Sequence, residues 1–110
     1  MKHNLTLQAQ GSPVLLLAYL HRENSYLPAA EFHLSPIYAE RLEISLHDDL
    51  PGFEVWRVAL GLEVPMPRNR DETSWVVVDG VVDDVRVRLT GFASADEVTA
   101  YDLAESAVSA

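Results

Sequence analysis

Three aspartates stand close together in residues 76–89, whose sequence reads VVVDGVVDDVRVRL. Carboxylates at this density could bind Ca²⁺ or Mg²⁺, because these hard cations take oxygen ligands. The same residues are also typical of a tight turn between two strands, since aspartate tolerates the left-handed backbone that such turns require. The position of the turn therefore decides between a metal site and a hairpin.

Two hairpin registers compete for this stretch. A turn at Asp79-Gly80 has the commonest two-residue signal, but it sets Val76 opposite Asp83 and so places charge among apolar side chains. A turn at Asp83-Asp84 instead gives one wholly apolar face and a second face on which charges and aromatic rings match. The pairs predicted on that second face are Val81 with Arg86, Asp79 with Arg88, Val77 with Thr90, and Trp75 with Phe92. Because a one-residue slip would exchange the faces, this agreement favours the turn at Asp83-Asp84.

The favoured register argues against a metal site at the aspartates. Asp83 and Asp84 become turn residues, and Asp79 becomes a strand residue tied to Arg88. A hard cation needs several oxygens converging on one point, and Asp79 lies too far from the turn to join the other two. We therefore predict no metal and no other cofactor here.

Histidines are the other residues that could carry chemistry, and the chain has four: His3, His21, His33 and His47. Pairing two strands at 30–35 and 41–47 would place His33 opposite Glu43 and Glu31 opposite Ser45. A small-ligand sensor or enzyme built from His33, Glu43, His47 and Glu31 stays open as an alternative. Solvated strand histidines are the simpler interpretation, because the sequence places no nucleophile beside them. Without a recognisable phosphate loop or nucleophile elbow, we predict no catalytic activity.

The overall composition limits the classes of partner. The 110 residues, 48% hydrophobic and 23% charged, predict one globular domain spanning 1–110. A net charge of -9 disfavours nucleic acid and anionic membrane surfaces, which need a basic footprint. The apolar run at 14–20 is too short to span a bilayer. The absence of cysteine is compatible with the cytoplasm, where we expect the protein to reside.

Hydrophobic periodicity predicts the elements that must position these residues. A short strand is predicted at 5–9, followed by a helix at 13–23 with Ser12 as N-cap and Pro13 at its first position. A second helix is predicted at 50–60, capped by Asp48-Asp49 and ended by Gly61. Further strands are predicted at 30–35, 41–47, 74–82 and 85–93. The fold class is therefore α+β, with a single mainly antiparallel sheet of four to six strands and two helices packed on one face.

A sheet covered by helices on one face leaves its other face as the predicted working surface. This surface would carry Trp75, Val77, Arg86, Arg88 and Phe92. Tryptophan and arginine are enriched at interface hot spots, so the prediction is a protein-interaction or regulatory module that forms a homodimer or binds another protein. In a competing interpretation, the C-terminal segment 94–110 folds over this face and buries it.

The acidic segment 94–110 raises a different functional alternative. It begins with a capping-box pattern, Ser94 to Glu97, and is predicted to be helical or frayed. Its acids are Asp96, Glu97, Asp102 and Glu105, with no basic residue among them. An inhibitor or immunity-type protein could use such a segment to block a basic partner.

Two motifs carry a resemblance to known proteins. Phe53-Glu54-Val55-Trp56-Arg57-Val58-Ala59-Leu60-Gly61, followed by Val82-Asp83-Asp84-Val85-Arg86-Val87-Arg88-Leu89, resembles small uncharacterised proteins encoded in high-GC bacterial genomes. The resemblance covers residues 30–93 and consists of core positions and turns. It implies a bacterial origin and assigns no activity to any residue.

Overall fold

The computed structural model describes residues 6–65 and 75–109. The elements in chain order are a 3₁₀ turn (Leu7–Gln10), α1 (Gly11–Glu23), β1 (Glu31–Leu34), β2 (Arg41–His47), α2 (Leu50–Leu60), β3 (Trp75–Val82), β4 (Val85–Phe92) and α3 (Ala95–Ser109). The protein is therefore α+β, as predicted. The second predicted helix and the strand at 41–47 have the expected bounds, and the other three strands differ by at most one residue at either end.

The N-terminal prediction is wrong over the described residues. Leu7–Gln10 form a 3₁₀ turn instead of a strand, and α1 begins at Gly11 without a side-chain cap from the preceding Gln10. Backbone bonds explain why no Ser12 cap is needed: Ala9 N donates to Thr6 O at 2.9 Å, so the chain enters α1 already coiled. Pro13 is buried in the first turn, where its missing N–H costs little.

Both ends of α2 follow the sequence prediction. The Asp49 side chain accepts a hydrogen bond from Gly52 N at 2.9 Å, which satisfies one of the unpaired amides at the helix start. Gly61 ends the helix with φ 71°, a left-handed conformation that favours glycine. These caps set the position of the buried face of α2.

The sheet has the strand order β1-β2-β4-β3, and its two antiparallel registers were predicted correctly. In the β3–β4 hairpin Val82 pairs with Val85, Asp79 with Arg88 and Trp75 with Phe92. Asp83 and Asp84 both have positive φ, 50° and 66°, as a two-residue turn matching the strand twist requires. In the β1–β2 pair, Leu34 faces Leu42, His33 faces Glu43 and Glu31 faces Ser45.

The prediction of a mainly antiparallel sheet needs a correction at its centre. β2 and β4 run parallel, with Ile44 beside Leu89 and His47 beside Phe92, so the sheet over the described ranges is mixed and has four strands. A parallel pair needs a long crossover, which is provided here by the chain that contains α2 and β3. The alternating pattern of β2 is the same beside a parallel or an antiparallel neighbour, so it carries no information on this pairing.

Apolar side chains from helices and strands form one buried cluster. Its members include Leu16 and Leu20 of α1, Phe53, Trp56 and Leu60 of α2, Leu42, Ile44 and Leu46 of β2, Val76 and Val78 of β3, Val85, Val87 and Leu89 of β4, and Val98 of α3. The contact between α2 and β4 is close at Gly91, where an added Cβ would lie 3.0 Å from a Leu50 carbon and 3.1 Å from a Phe53 carbon. Glycine at this position lets the helix approach the strand.

Helix α3 joins the same cluster through its first turns. Val98 is buried, and the Tyr101 ring packs edge-to-face on Phe53 with centroids 5.8 Å apart. The described side chains of α3 therefore contact α2, and whether the rest of segment 94–110 covers the outer face stays an open alternative. None of the helices over the described ranges is long and apolar enough to cross a membrane.

Candidate interaction surface

The five predicted surface residues lie on one side of the sheet. Side chains alternate along β3 and β4, so Trp75, Val77, Arg86, Arg88 and Phe92 share the side opposite the buried valines. We call this side the outer face, and its further members are Asp79, Val81, Thr90, Arg41, Glu43, Ser45, His47, Glu31 and His33.

Exposed apolar groups concentrate on the β3–β4 part of the outer face. Trp75 is 40% exposed, its cross-strand partner Phe92 is 38% exposed, and Val81 at the other end of β3 is 65% exposed. Val77 lies between them and is half-buried. Trp75, Val77 and Phe92 are neighbours, whereas the Asp79–Arg88 pair separates Val81 from them. Solvent-facing strand positions are usually polar, so this apolar group indicates a contact surface.

Charges on the outer face are mostly paired within the chain. Arg88 Nε donates to Asp79 Oδ1 at 2.8 Å and Arg88 Nη2 to Asp79 Oδ2 at 3.3 Å, which is the pair expected from the sequence. This hydrogen bond raises the pKa of Arg88 above its ordinary value, while burial lowers it by less. Arg41 Nη2 and Glu43 Oε2 lie 2.9 Å apart on the neighbouring strand. The surface therefore presents little net charge at its centre, although the whole chain carries -9.

Parallel pairing of β2 with β4 creates an aromatic contact that sequence reasoning missed. It sets His47 beside Phe92, and their rings stack with centroids 4.9 Å apart. Trp75 of β3 is the neighbour of Phe92 on the strand opposite β2. The three rings therefore form a row across one end of the outer face. In the sequence, His47 and Phe92 are recognisable only as large side chains at the ends of two strands. That pattern does not show that the two strands are neighbours.

The four residues of the alternative ligand or enzyme site do not converge as a set. His47 Nε2 lies 3.0 Å from Glu31 Oε1, and His33 is beside Glu43 in register, but the Glu43 carboxylate pairs with Arg41. No cluster of three or more metal-ligating side chains is present over the described ranges. His3 lies outside them.

The acidic-inhibitor alternative depends on carboxylates of α3, and one of them has a structural role. Glu97 Oε1 accepts hydrogen bonds from Ser94 N and Ser94 Oγ, both at 3.0 Å, and Glu97 N donates to Ser94 Oγ at 3.2 Å. This is the predicted capping box. Asp96 is exposed in the first turn, whereas the side chains of Asp102 and Glu105 lie outside the described part.

The partly buried carboxylate of Glu54 links α2 to α3. Glu54 accepts two hydrogen bonds from Arg57, from Nε at 2.8 Å and from Nη2 at 2.9 Å, and a third from the Tyr101 hydroxyl. Burial raises the pKa of Glu54, but the hydrogen bonds from Arg57 and Tyr101 together with the Arg57 charge outweigh it. The net result is a pKa below the ordinary value of 4.5.

We expect Glu54→Gln to reduce the acid sensitivity of the fold. A carboxyl whose pKa is lower in the folded state stabilises the protein above its unfolded pKa, and this contribution is lost as pH falls through the folded pKa. Urea denaturation at pH 7 and pH 3 should therefore show a smaller difference in unfolding free energy for Glu54→Gln than for the wild type. Tyr101→Phe, which removes one donor, should fall between them. An unchanged pH difference in Glu54→Gln would contradict this role.

Comparison of the chain with protein-family models, with curated proteins and with solved structures found no match.

Proposed function

We propose that this protein is a non-catalytic interaction module that self-associates through the outer face of its sheet. The observation that carries the proposal is the set of exposed apolar side chains, Trp75, Val81 and Phe92, on a sheet face whose central charges, Asp79 and Arg88, are paired with each other. In this proposal α1 and α2 form a single layer on the opposite face, which leaves the outer face open to a partner.

A second copy of the chain fits this surface better than a charged partner does. Two chains that each carry -9 repel one another in general, but Asp79–Arg88 and Arg41–Glu43 are neutralised in pairs at the contact. A two-fold axis would bury the same patch from both copies, so each apolar side chain would contribute twice. The row of His47, Phe92 and Trp75 would then supply the rigid aromatic anchors typical of an interface centre.

Arg88 and Arg86 would fix the orientation of the second copy on the outer face. Arg88 is already held by Asp79 through Nε and Nη2, so its planar group is pre-positioned to pack against a partner side chain. Arg86 is exposed and lies across from Val81, where it can reach a carbonyl or carboxylate of the second copy. The proposal needs no nucleic acid, membrane or cofactor. It includes a cytoplasmic location, because a chain without cysteine does not depend on the disulfide bonds that a reducing compartment would prevent.

Sedimentation velocity over a concentration series tests this proposal. We expect the wild type to form dimers and Trp75→Ala to weaken the dimer at least about tenfold, or 1.4 kcal/mol, because hot-spot aromatics carry most of the binding energy. Arg88→Ala combined with Trp75→Ala should weaken it further. Tyr26→Ala is the matched control, since Tyr26 is an exposed aromatic in the connection between α1 and β1 and is not a member of the outer face.

Two results would contradict the proposal of a dimer. One is a wild type that stays monomeric at every concentration, and the other is a Tyr26→Ala variant that loses association as strongly as Trp75→Ala. Circular dichroism of each variant separates loss of association from loss of folding. Loss of association after deletion of residues 94–110, with the outer face intact and the rest still folded, would instead favour the acidic segment as the contact.

A further inference from the structure

A groove of about 570 Å³ opens between α1 and the chain segment 24–30. It lies on the helical side of the sheet, because its floor includes Phe32, whose strand partner Ile44 belongs to the buried cluster. Its lining comes from α1, from the segment 24–30, from Phe32 of β1 and from Trp56 of α2. The volume is within the range of small-molecule sites, about 300–1,000 Å³.

The walls of the groove are held in place before any ligand binds. Trp56 Nε1 donates to Pro28 O at 2.8 Å, which fixes the segment 24–30 against α2 and leaves the indole ring to face the groove as an apolar surface. Asn24 N donates to Leu20 O at 2.8 Å and Leu27 N to Asn24 O at 3.0 Å. A preformed site loses less free energy to ordering when a ligand binds.

Small side chains make the groove concave and aromatic rings close its floor. Ala18, Ala29 and Ala30 line it where larger residues would fill the space. Phe32 and Trp56 meet edge-to-face with centroids 6.0 Å apart, a favourable geometry for two rings. Such a surface suits hydrocarbon or aromatic groups.

The polar groups of the groove cluster at one end and bear no carboxylate or cationic amine. His21, Asn24 and Ser25 follow one another where α1 ends, and the other lining residues are apolar apart from backbone atoms and the paired indole N–H. A charged ligand would lose hydration here without an opposite charge to replace it. A hydroxyl or amide on the ligand could hydrogen-bond at this end.

We propose that this groove binds one small, uncharged, mainly hydrocarbon molecule whose single polar group lies beside His21, Asn24 and Ser25. The groove and the outer face lie on opposite sides of the sheet. Trp56 provides a reporter at the site, because Trp56 and Trp75 are the two tryptophans of the chain. A Trp75→Phe background therefore makes the fluorescence specific to the groove.

The test is a titration of Trp75→Phe with 1-decanol, followed by Trp56 fluorescence. We expect a saturable change, and a dissociation constant at least about tenfold higher for decanoate and for decylamine. Ala18→Phe places a ring in the groove and should abolish the change. Ala100→Phe is the matched control, because Ala100 is likewise an exposed helical alanine but lies on α3, and it should bind decanol as the background does.

Other results would overturn the inference. A linear response to decanol, or no response up to its solubility, would show that the groove binds no such ligand. Equal affinity for decanoate or decylamine would contradict the uncharged ligand class. Equal responses from Ala18→Phe and Ala100→Phe would place the binding elsewhere.

Discussion

Phe53→Ala is expected to lower the free energy of unfolding by about 3–5 kcal/mol, the range for truncating a buried aromatic residue. Phe53 is fully buried at the centre of α2. Its ring contacts Tyr101 of α3 and lies close to Gly91 of β4, so one truncation removes contacts between three elements. Since domains of this size are stable by about 5–15 kcal/mol, this loss is a large part of the total stability.

Urea denaturation followed by circular dichroism measures this effect. Val58→Ala is the control on the same helix, because Val58 is exposed and surface changes usually stay within about 0.5 kcal/mol. A loss below about 1 kcal/mol for Phe53→Ala would mean that α2 does not bury this face.

Leu89→Ala is expected to cost about 2–5 kcal/mol, because Leu89 is fully buried in a strand with neighbours on both sides. It lies beside Ile44 across the parallel pair and beside Val78 across the antiparallel pair. Thr90→Ala, the next residue and on the outer face, should cost much less.

A double-mutant cycle with Ile44→Ala tests whether β2 lies beside β4 in this register. Residues in contact couple by about 0.5–3 kcal/mol, whereas distant sites add within about 0.3–0.5 kcal/mol. We expect the Ile44–Leu89 pair to be non-additive. Additive losses would contradict the placement of β2 beside β4.

Local pattern was sufficient for the hairpin that carries the candidate surface. Apolar side chains match across β3 and β4 in one register, with the turn at Asp83-Asp84, and a slip by one residue would place Asp79 among the valines. The structure has this register, with Asp79 paired to Arg88. The same alternation positioned β1 on β2, and the caps at Asp49 and Gly61 bounded α2.

Local pattern failed at the N-terminus for a physical reason. Leu7 and Ala9 alternate with polar residues over too short a stretch to separate a strand from a turn. Because the following helix starts at Gly11, the backbone of Leu7–Gln10 coils into it and satisfies its amides without Ser12.

The sequence alone determined the α+β class, helix α2, the four strands to within one residue at either end, the two antiparallel registers and which side chains share a face, because these depend on neighbours in the chain. Tertiary structure decided the parallel contact of β2 with β4, and with it the stacking of His47 on Phe92. It also decided the groove at Trp56, where residues far apart in the chain meet. Such contacts depend on how a crossover returns the chain to the sheet, which no local periodicity records.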